Sequence, residues 1–401
     1  MTLRRILFVD DEPQLLDGLR DLLRRDRKRW EMVFAGGGEE ALEELSRARF
    51  DVVVTDMRMR GIDGAELLRR VRERRPGIVR IVLTGHAEKD ALIRAVPVAH
   101  EFLSKPCDGD LLRAALERSC AFRDLSESDA VRAVLARLGR LPAAARAAWE
   151  RLEALAMGAD GDDDVERALA ADEPARRRCS ELARALGLDA PATHDDGSGA
   201  AAEVGGVALR EAATASELFA LPAAAGRDPA RGALLRRAAV AAARAARRSF
   251  GGAHAGALAF SAGLLHDAGD VILDLVEPER AAACWTRAVA ESRPRYDIER
   301  EVFGVSHAEI GACVLGRFGL PLAVVEAVAA HHRPGALTRT KGLDVAAALH
   351  VVAARIDSAL EPGSESVVDD AFLERQGFAA DAVAWSAAAR DEIAAATGAV
   401  A

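Results

Sequence analysis

The sequence predicts an α/β half followed by an all-α half: a doubly wound, five-stranded parallel sheet, then a C-terminal helical domain. Three observations lead there. Short apolar runs alternate with amphipathic segments five times in the first hundred or so residues. Two of those runs end abruptly on acids, as Asp10-Asp11 and Asp56. From Asp108 onward the apolar spacing is almost wholly helical.

The first run, Ile6 to Val9, ends on Asp10 and Asp11, and Pro13 suits the first turn of the helix that follows. Leu15, Leu16, Leu19, Leu22 and Leu23 form that helix's apolar stripe. Met32 to Ala35 is the second strand, and Ala41, Leu42 and Leu45 mark the next helix. The third run lies in DVVVTD, Asp51 to Asp56. Three consecutive Val residues imply a strand buried on both faces, so Asp56 stands at its C-terminal edge, where open parallel sheets keep their chemistry. Ile78 to Leu83 ends at Thr84, and Glu101 to Leu103 leads into Ser104, Lys105 and Pro106. The basic clusters Arg24 to Arg29 and Arg72 to Arg75 fall at helix ends, where cations suit the macrodipole, and read as solvated.

Carboxylates converging on one point repel unless a cation separates them, and an all-oxygen cluster suits a hard ion such as Mg2+. Thr84 and Lys105 supply the hydroxyl and ammonium that a transferred phosphoryl group requires. The plainer alternative, acids that merely cap helices, accounts for one such residue but not for several coordinated strand ends. The order Asp10-Asp11, Asp56, Thr84, Lys105-Pro106 resembles the receiver domain of bacterial two-component response regulators. That resemblance implies that Asp56 is the phosphoacceptor and that Asp10, Asp11, Asp56 and the backbone carbonyl of Arg58 hold Mg2+. It also implies that Thr84 and Lys105 contact the phosphoryl oxygens and that Phe102 is the aromatic switch. Phe102 lacks the hydroxyl of the more frequent Tyr, and Gly85 follows Thr84.

At 401 residues and 50% hydrophobic content, the chain can bury the cores of two or three domains. Its apolar runs fall short of the roughly 20 residues of a membrane span, and the N-terminus enters a strand directly, so a cytoplasmic protein without a membrane span is expected. Five Cys, at 107, 120, 179, 284 and 313, form no close pair, which weighs against a disulfide framework or zinc ribbon. Residues 1–125 hold 24 Lys/Arg and 23 Asp/Glu, a balance of +1, so with a net charge of −9 overall the remaining, helical part carries −10. An acidic half in a chain with 4% aromatics is a poor nucleic-acid binder.

Between Gly109 and Gly139 the chain has neither Gly nor Pro, and the stripes Leu111, Leu112, Ala115, Leu116 and Val131, Val134, Leu135, Leu138 predict one long or two abutting helices. Breaks follow at Gly158 to Asp164 and at Asp195 to Gly206, the second a polar, Gly-rich loop. Later come GLLHDAG with His266-Asp267, FGVSHAEIG with His307, and VAAHHRP with His331-His332. Such residues on neighbouring helices can hold metals. These segments, with ADEP at Ala171 to Pro174, resemble the HD superfamily and more closely its HDOD branch, a non-hydrolytic relative used in signalling.

An active HD phosphohydrolase would need an earlier His and a later Asp. Arg237 stands where the first is expected and Ala354 where the last is expected, so His266, Asp267, His307, His331 and His332 read as a degenerate site whose imidazoles serve as caps and core hydrogen-bonding groups. His86, His100, His194, His254 and His350 read as structural or exposed. Arg236, Arg237, Arg244, Arg247 and Arg248 recur at helical spacing and read as a solvated basic face rather than a phosphate site.

The expected organisation is a receiver domain at 1–124, a helical connector at 125–140, an HDOD domain at 141–360 and a helical tail at 361–401 packed on it. The expected function is that of a response regulator, not an enzyme. A histidine kinase phosphorylates Asp56, and the output contacts a downstream protein of unknown identity or a second copy of the chain. The alternative is a phosphorylation-gated, metal-dependent HD phosphohydrolase acting on a cyclic dinucleotide.

Overall fold

The computed structural model describes residues 3–85, 98–156, 162–188, 206–227, 229–335, 344–360 and 366–398. Of the expected breaks at Gly158 to Asp164 and Asp195 to Gly206, residues 158–161 and 195–205 lie outside them, as do His86 and His194, whereas Asp162 to Asp164 open the helix Asp162–Ala171 and Gly206 opens Gly206–Ala224. The chain divides into two compact units, one of Met1–Ser126 with Gly316–Leu322 and the other of Glu127–Leu315 with Ala323–Ala401.

In the first unit, β1 (Arg4–Val9), β2 (Trp30–Ala35), β3 (Val52–Asp56), β4 (Val79–Thr84) and β5 (Glu101–Ser104) form one sheet in the order β2-β1-β3-β4-β5. All four pairings are parallel. The strand order reverses between β1 and β3, so the crevice at this switch point opens between the ends of the two acid-tipped strands. Every residue of β3 and of β4 is buried, as continuous apolar strands covered on both faces must be. Leu7, Val9, Val53, Val82, Leu67 and Leu68 belong to the core between sheet and helices.

The helix Pro13–Leu22 starts with Pro in its first turn and buries Leu16, whereas Leu15 is exposed. Of the basic clusters expected in water, Arg72 is instead buried. On β4, Arg80 is wholly buried and donates to the carbonyls of Ile78, Pro76 and Val98. Burial without a carboxylate pulls its pKa down to about 9.

The helix Gly109–Ser126 ends just before Ser128, whose side chain caps the abutting helix Asp129–Leu135 by accepting from Val131 N. Val131 and Val134 are buried, and Glu127–Leu315, which includes most of the stretch expected to be a connector, falls within the second unit.

The second unit is helical throughout its described residues. A core of Ala241, Ala245, Val351, Val352, Phe372 and Trp385 joins the helices Pro229–Arg248, Asp344–Leu360, Asp370–Gln376 and Ala379–Gly398. Arg244 and Arg248 pair with Glu392 of the last helix, so this part of the expected basic face holds helices together. One stretch, His254–Val276, is apolar and long enough to cross a membrane, but 89% of it is buried inside the unit, the burial of a core helix.

Candidate functional sites

The first site forms at the switch point. Asp56 ends β3, and the chain then folds back so tightly that a Cβ at Gly64 would stand 2.2 Å from the Asp56 carbonyl oxygen. Asp63 caps the next helix by accepting from Glu66 N at 2.9 Å. Asp10, 2% exposed, fixes its own loop by accepting from Glu12 N at 2.9 Å. Lys105, just past β5, donates from Nζ to Asp10 Oδ2 at 2.9 Å and also to Asp56 Oδ1. The other Asp56 oxygen accepts from Arg58 N at 2.9 Å. Burial pushes the Asp56 carboxyl above its usual range, with Asp10 adding to the rise and Lys105 opposing it.

Asp10, Asp56 and Lys105 therefore meet. Asp11 accepts from Arg60 N, in the loop that follows Asp56, at 3.1 Å. Thr84 ends β4, 7% exposed, with its hydroxyl donating to Gly85 O. Phe102, one strand over, is partly buried against the core beside the sheet. The segment 86–97 between β4 and β5 lies outside the described residues.

The second site forms where helices end. His266 is the C-cap of Ala253–Leu265 and Asp267 the N-cap of Ala268–Val276, yet Asp267 caps nothing with its side chain. His307 opens His307–Phe318, and His331 and His332 follow Leu322–Ala330. A Cβ at Gly269 would lie 1.8 Å from the carbonyl oxygen of His307, so only a glycine lets these two helices approach until Asp267 Oδ1 is 3.6 Å from His307 Nε2.

The imidazoles are oriented one by one. His266 Nδ1 donates to Gly263 O at 2.8 Å, His331 Nδ1 to Val328 O at 2.7 Å, and His307 Nδ1 to Glu299 Oε2 at 2.6 Å. Glu299 and Asp270 are held by the buried Arg295, which stacks 4.1 Å over the Trp285 ring. His332 Nε2 sits 2.9 Å from His307 Nε2, and its ring stacks on Tyr296. His350 is buried and structural, donating from Nδ1 to His331 O and accepting at Nε2 from Asp369 N. His100 is also buried, accepting from Arg80 N, and His254 is exposed.

One expectation is overturned. Ala354 does not mark an absent terminal carboxylate, because Asp357, one helical turn further along Asp344–Leu360, is 3% exposed with Oδ1 3.7 Å from His266 Nε2. Arg237 is exposed and enters no part of the cluster. Among the described residues, three overlapping groups have ligand atoms within 4.8 Å of one another: His266, Asp267 and Asp357; Asp267, Asp270 and His307; His307, His331 and His332.

Burial alone would lower the pKa of His266, but Asp267 and Asp357 carry it well above the ordinary value. Burial likewise opposes Glu299 at His307, whose pKa nonetheless rises to about 9. Burial would raise Asp267, yet the surrounding imidazoles hold it well below the usual range. His331 is driven down by burial and by its imidazole neighbours.

Known proteins match both halves. The response regulator receiver domain family matches residues 6–117, and the HDOD domain family matches residues 198–334. The transcriptional regulatory protein GlrR of Escherichia coli (strain K12) is 36% identical over 113 residues, 28% of this chain and 25% of that protein. The response regulator receiver protein Anae109_2439 of Anaeromyxobacter sp. (strain Fw109-5) is 40% identical over 90 residues, 22% of this chain and 37% of that one. The chain thus spans about a quarter to a third of these relatives' length. Among solved structures, the signal receiver domain of an HD domain-containing protein from Pseudomonas fluorescens Pf-5 is 28% identical, covering 31% of this chain and 98% of that one, with a TM-score of 0.30.

Proposed function

Because the chain carries a response regulator receiver domain and an HDOD domain, we propose that it is a phosphorylation-controlled regulator in which a histidine kinase phosphorylates Asp56 and the helical half transmits the signal by protein contact. The observation that carries this reading is the meeting of Asp56, Asp10 and Lys105 at the switch point. The receiver ends near residue 124 in this reading, and the HDOD unit includes the former connector and the tail.

Three carboxylates against one ammonium leave an excess of negative charge on hard oxygen donors, which fits Mg2+. Asp10, Asp11, Asp56 and the Arg58 carbonyl would hold it, and it would supply the positive charge that phosphoryl transfer to a carboxylate requires. The chain's own part is clearer in chemical terms. Burial and Asp10 keep Asp56 basic, Lys105 holds its oxygen in place and can follow the phosphoryl oxygens, and Thr84 offers a hydroxyl from the next strand. Drawing Thr84 inward opens room for Phe102 to change rotamer, which reshapes the β5 face.

Incubation of the full chain with Mg2+ and a small-molecule phosphodonor should give one acid-labile label that Asp56→Asn abolishes. Equal labelling of the two proteins would refute the assignment. A second reading, metal-dependent hydrolysis of a nucleotide phosphate, draws support from Asp357, which restores a carboxylate beside His266. Contact is favoured over it because the clustered groups are shut from solvent: His266, Asp267, His331 and Asp357 are at most 3% exposed.

A further inference from the structure

Away from the histidines, the second unit contains a cavity of about 180 Å3, lined by residues of the helices Glu173–Ala185, Gly206–Ala224 and Pro229–Arg248. Its apolar wall includes Leu182, Phe219 and Pro222, and its polar groups are Ser216, Arg178 and Arg236. An apolar space of about 150 Å3 holds a benzene ring, so a body of that size fits here. An apolar recess with a few convergent polar groups is the usual form of a small-molecule site.

The polar groups differ in what they have left to give. Arg178 is fixed in place, because its Nε and Nη2 both donate to Glu217 Oε1, the first at 2.9 Å, and the Glu217 side chain is only 2% exposed. Its Nη1 has no partner among the described residues. Arg236 is exposed and makes no hydrogen bond or ion pair among them. Ser216 gives its proton to Ala213 O at 2.8 Å and keeps only lone pairs for a guest. The side-chain donors left for a ligand are therefore guanidinium N–H groups. Arg151 Nε lies 3.9 Å from Glu217 Oε2 and 3.8 Å from Asp172 Oδ2, so two carboxylates offset Arg151 and Arg178. Arg236 remains as an uncompensated positive charge.

We infer that this cavity binds a small organic monocarboxylate, an aliphatic or aromatic acid of about six to eight carbons. Its body would lie against Leu182, Phe219 and Pro222, and its carboxylate between Arg178 and Arg236. Guanidinium edges match the two oxygens of a carboxylate. A monoanion cancels the excess charge of Arg236, whereas a phosphate monoester would overshoot it and bring three acceptor oxygens to a wall with few donors. A nucleotide is too large for the space. The basic stripe of Pro229–Arg248 thus divides by role: Arg244 and Arg248 hold Glu392, and Arg236 borders the cavity. Such a site gives the helical half a chemical input of its own, separate from Asp56.

The test titrates the full chain with benzoate and with hexanoate by isothermal calorimetry. Ligands this small bind in the micromolar to millimolar range, so saturation below about 10 mM is expected of at least one of them. Benzamide, which has the shape of benzoate without its charge, and acetate, which has the charge without the body, should each bind at least about tenfold more weakly. Arg236→Gln should weaken the acid by about tenfold and leave the urea midpoint unchanged, because Arg236 holds nothing in the protein. Ala223→Trp, at an exposed position on the cavity wall, should block binding. Failure of both acids to saturate the wild type, or equal binding by benzamide, by acetate or by the Arg236→Gln chain, overturns the site. Self-association that Arg236→Gln abolishes, seen by light scattering without acid binding, would make the occupant a second copy of the chain and overturn it equally. Asp56 takes no part in these readouts, so failure here leaves the receiver reading intact.

Discussion

Gly269→Ala is the smallest change that should open the buried cluster. The added Cβ would meet the His307 carbonyl oxygen at 1.8 Å, its carbon at 2.6 Å and Gly311 N at 2.8 Å. All three are backbone atoms, so no rotamer change can relieve the clash; the helices Ala268–Val276 and His307–Phe318 must separate by roughly 1.5 Å to restore ordinary contact. Alanine is the better helix former by about 1 kcal/mol, whereas overpacking a core costs about 1–3 kcal/mol and occasionally more. With backbone on both sides the upper end applies, leaving a net loss of about 2 kcal/mol.

The same separation would draw Asp267 away from the His307 imidazole, 3.6 Å from it in the wild type. Urea unfolding followed by tryptophan fluorescence reads the effect through Trp285, which lies beside Arg295 in this region. Gly139→Ala is the control, since a Cβ there meets nothing within 4 Å, and it should be neutral. If Gly269→Ala unfolds at the same urea concentration as wild type or a higher one, the close approach of the two helices does not hold the cluster together and the reasoning fails.

Two further outcomes are expected. Burial pushes the Glu211 carboxyl from 4.5 up to about 7 against the opposing hydrogen bond with Ser261. A raised carboxyl contributes stability that is complete below its unfolded pKa and is lost as pH rises through the folded one, here by about 3 kcal/mol. Glu211→Gln should therefore gain on wild type between about pH 5 and about pH 8, and parallel stability profiles would refute the burial. In turnover assays with Zn2+, Mn2+ or Fe2+, the full chain should hydrolyse neither cyclic dinucleotides nor nucleotide phosphates, because the clustered side chains His266, Asp267, His331 and Asp357 are shut from solvent and substrate. Turnover that disappears in His266→Ala would establish the hydrolytic reading instead.

The sheet was legible because its strands obey one rule: a run buried on both faces must be apolar throughout, so Val52 to Val54 and Ile6 to Val9 announce themselves and the acids at their ends mark the edge. Side chains satisfied by backbone were not legible. Arg80 sits inside a strand because carbonyls of its own neighbourhood accept its guanidinium, and Asp11 is tied to the loop after Asp56 by the Arg60 amide. Neither partner has a sequence signal. The split between the helices Gly109–Ser126 and Asp129–Leu135 did have one, Ser128 ahead of an apolar run, which is a cap signature.

The buried cluster was legible in residue type but not in register, and the reason is the helix repeat. In the stretch Val345 to Ile356, polar only at His350 and Arg355, little sets the phase, so the position expected at Ala354 and the acid that reaches the cluster, Asp357, differ by one turn and share a side of the helix. What could have been read is the direction of the imidazoles. His266 and His331 each stand just past a helix end, and each donates Nδ1–H to the carbonyl three residues back, one of the carbonyls that a helix terminus leaves without an amide. A histidine at that position is held by its helix at Nδ1 and presents Nε2 to whatever faces the terminus. In this chain Asp267 and Asp357 face it, so the placement of two histidines at helix ends, rather than their number, is what brings imidazoles and carboxylates together.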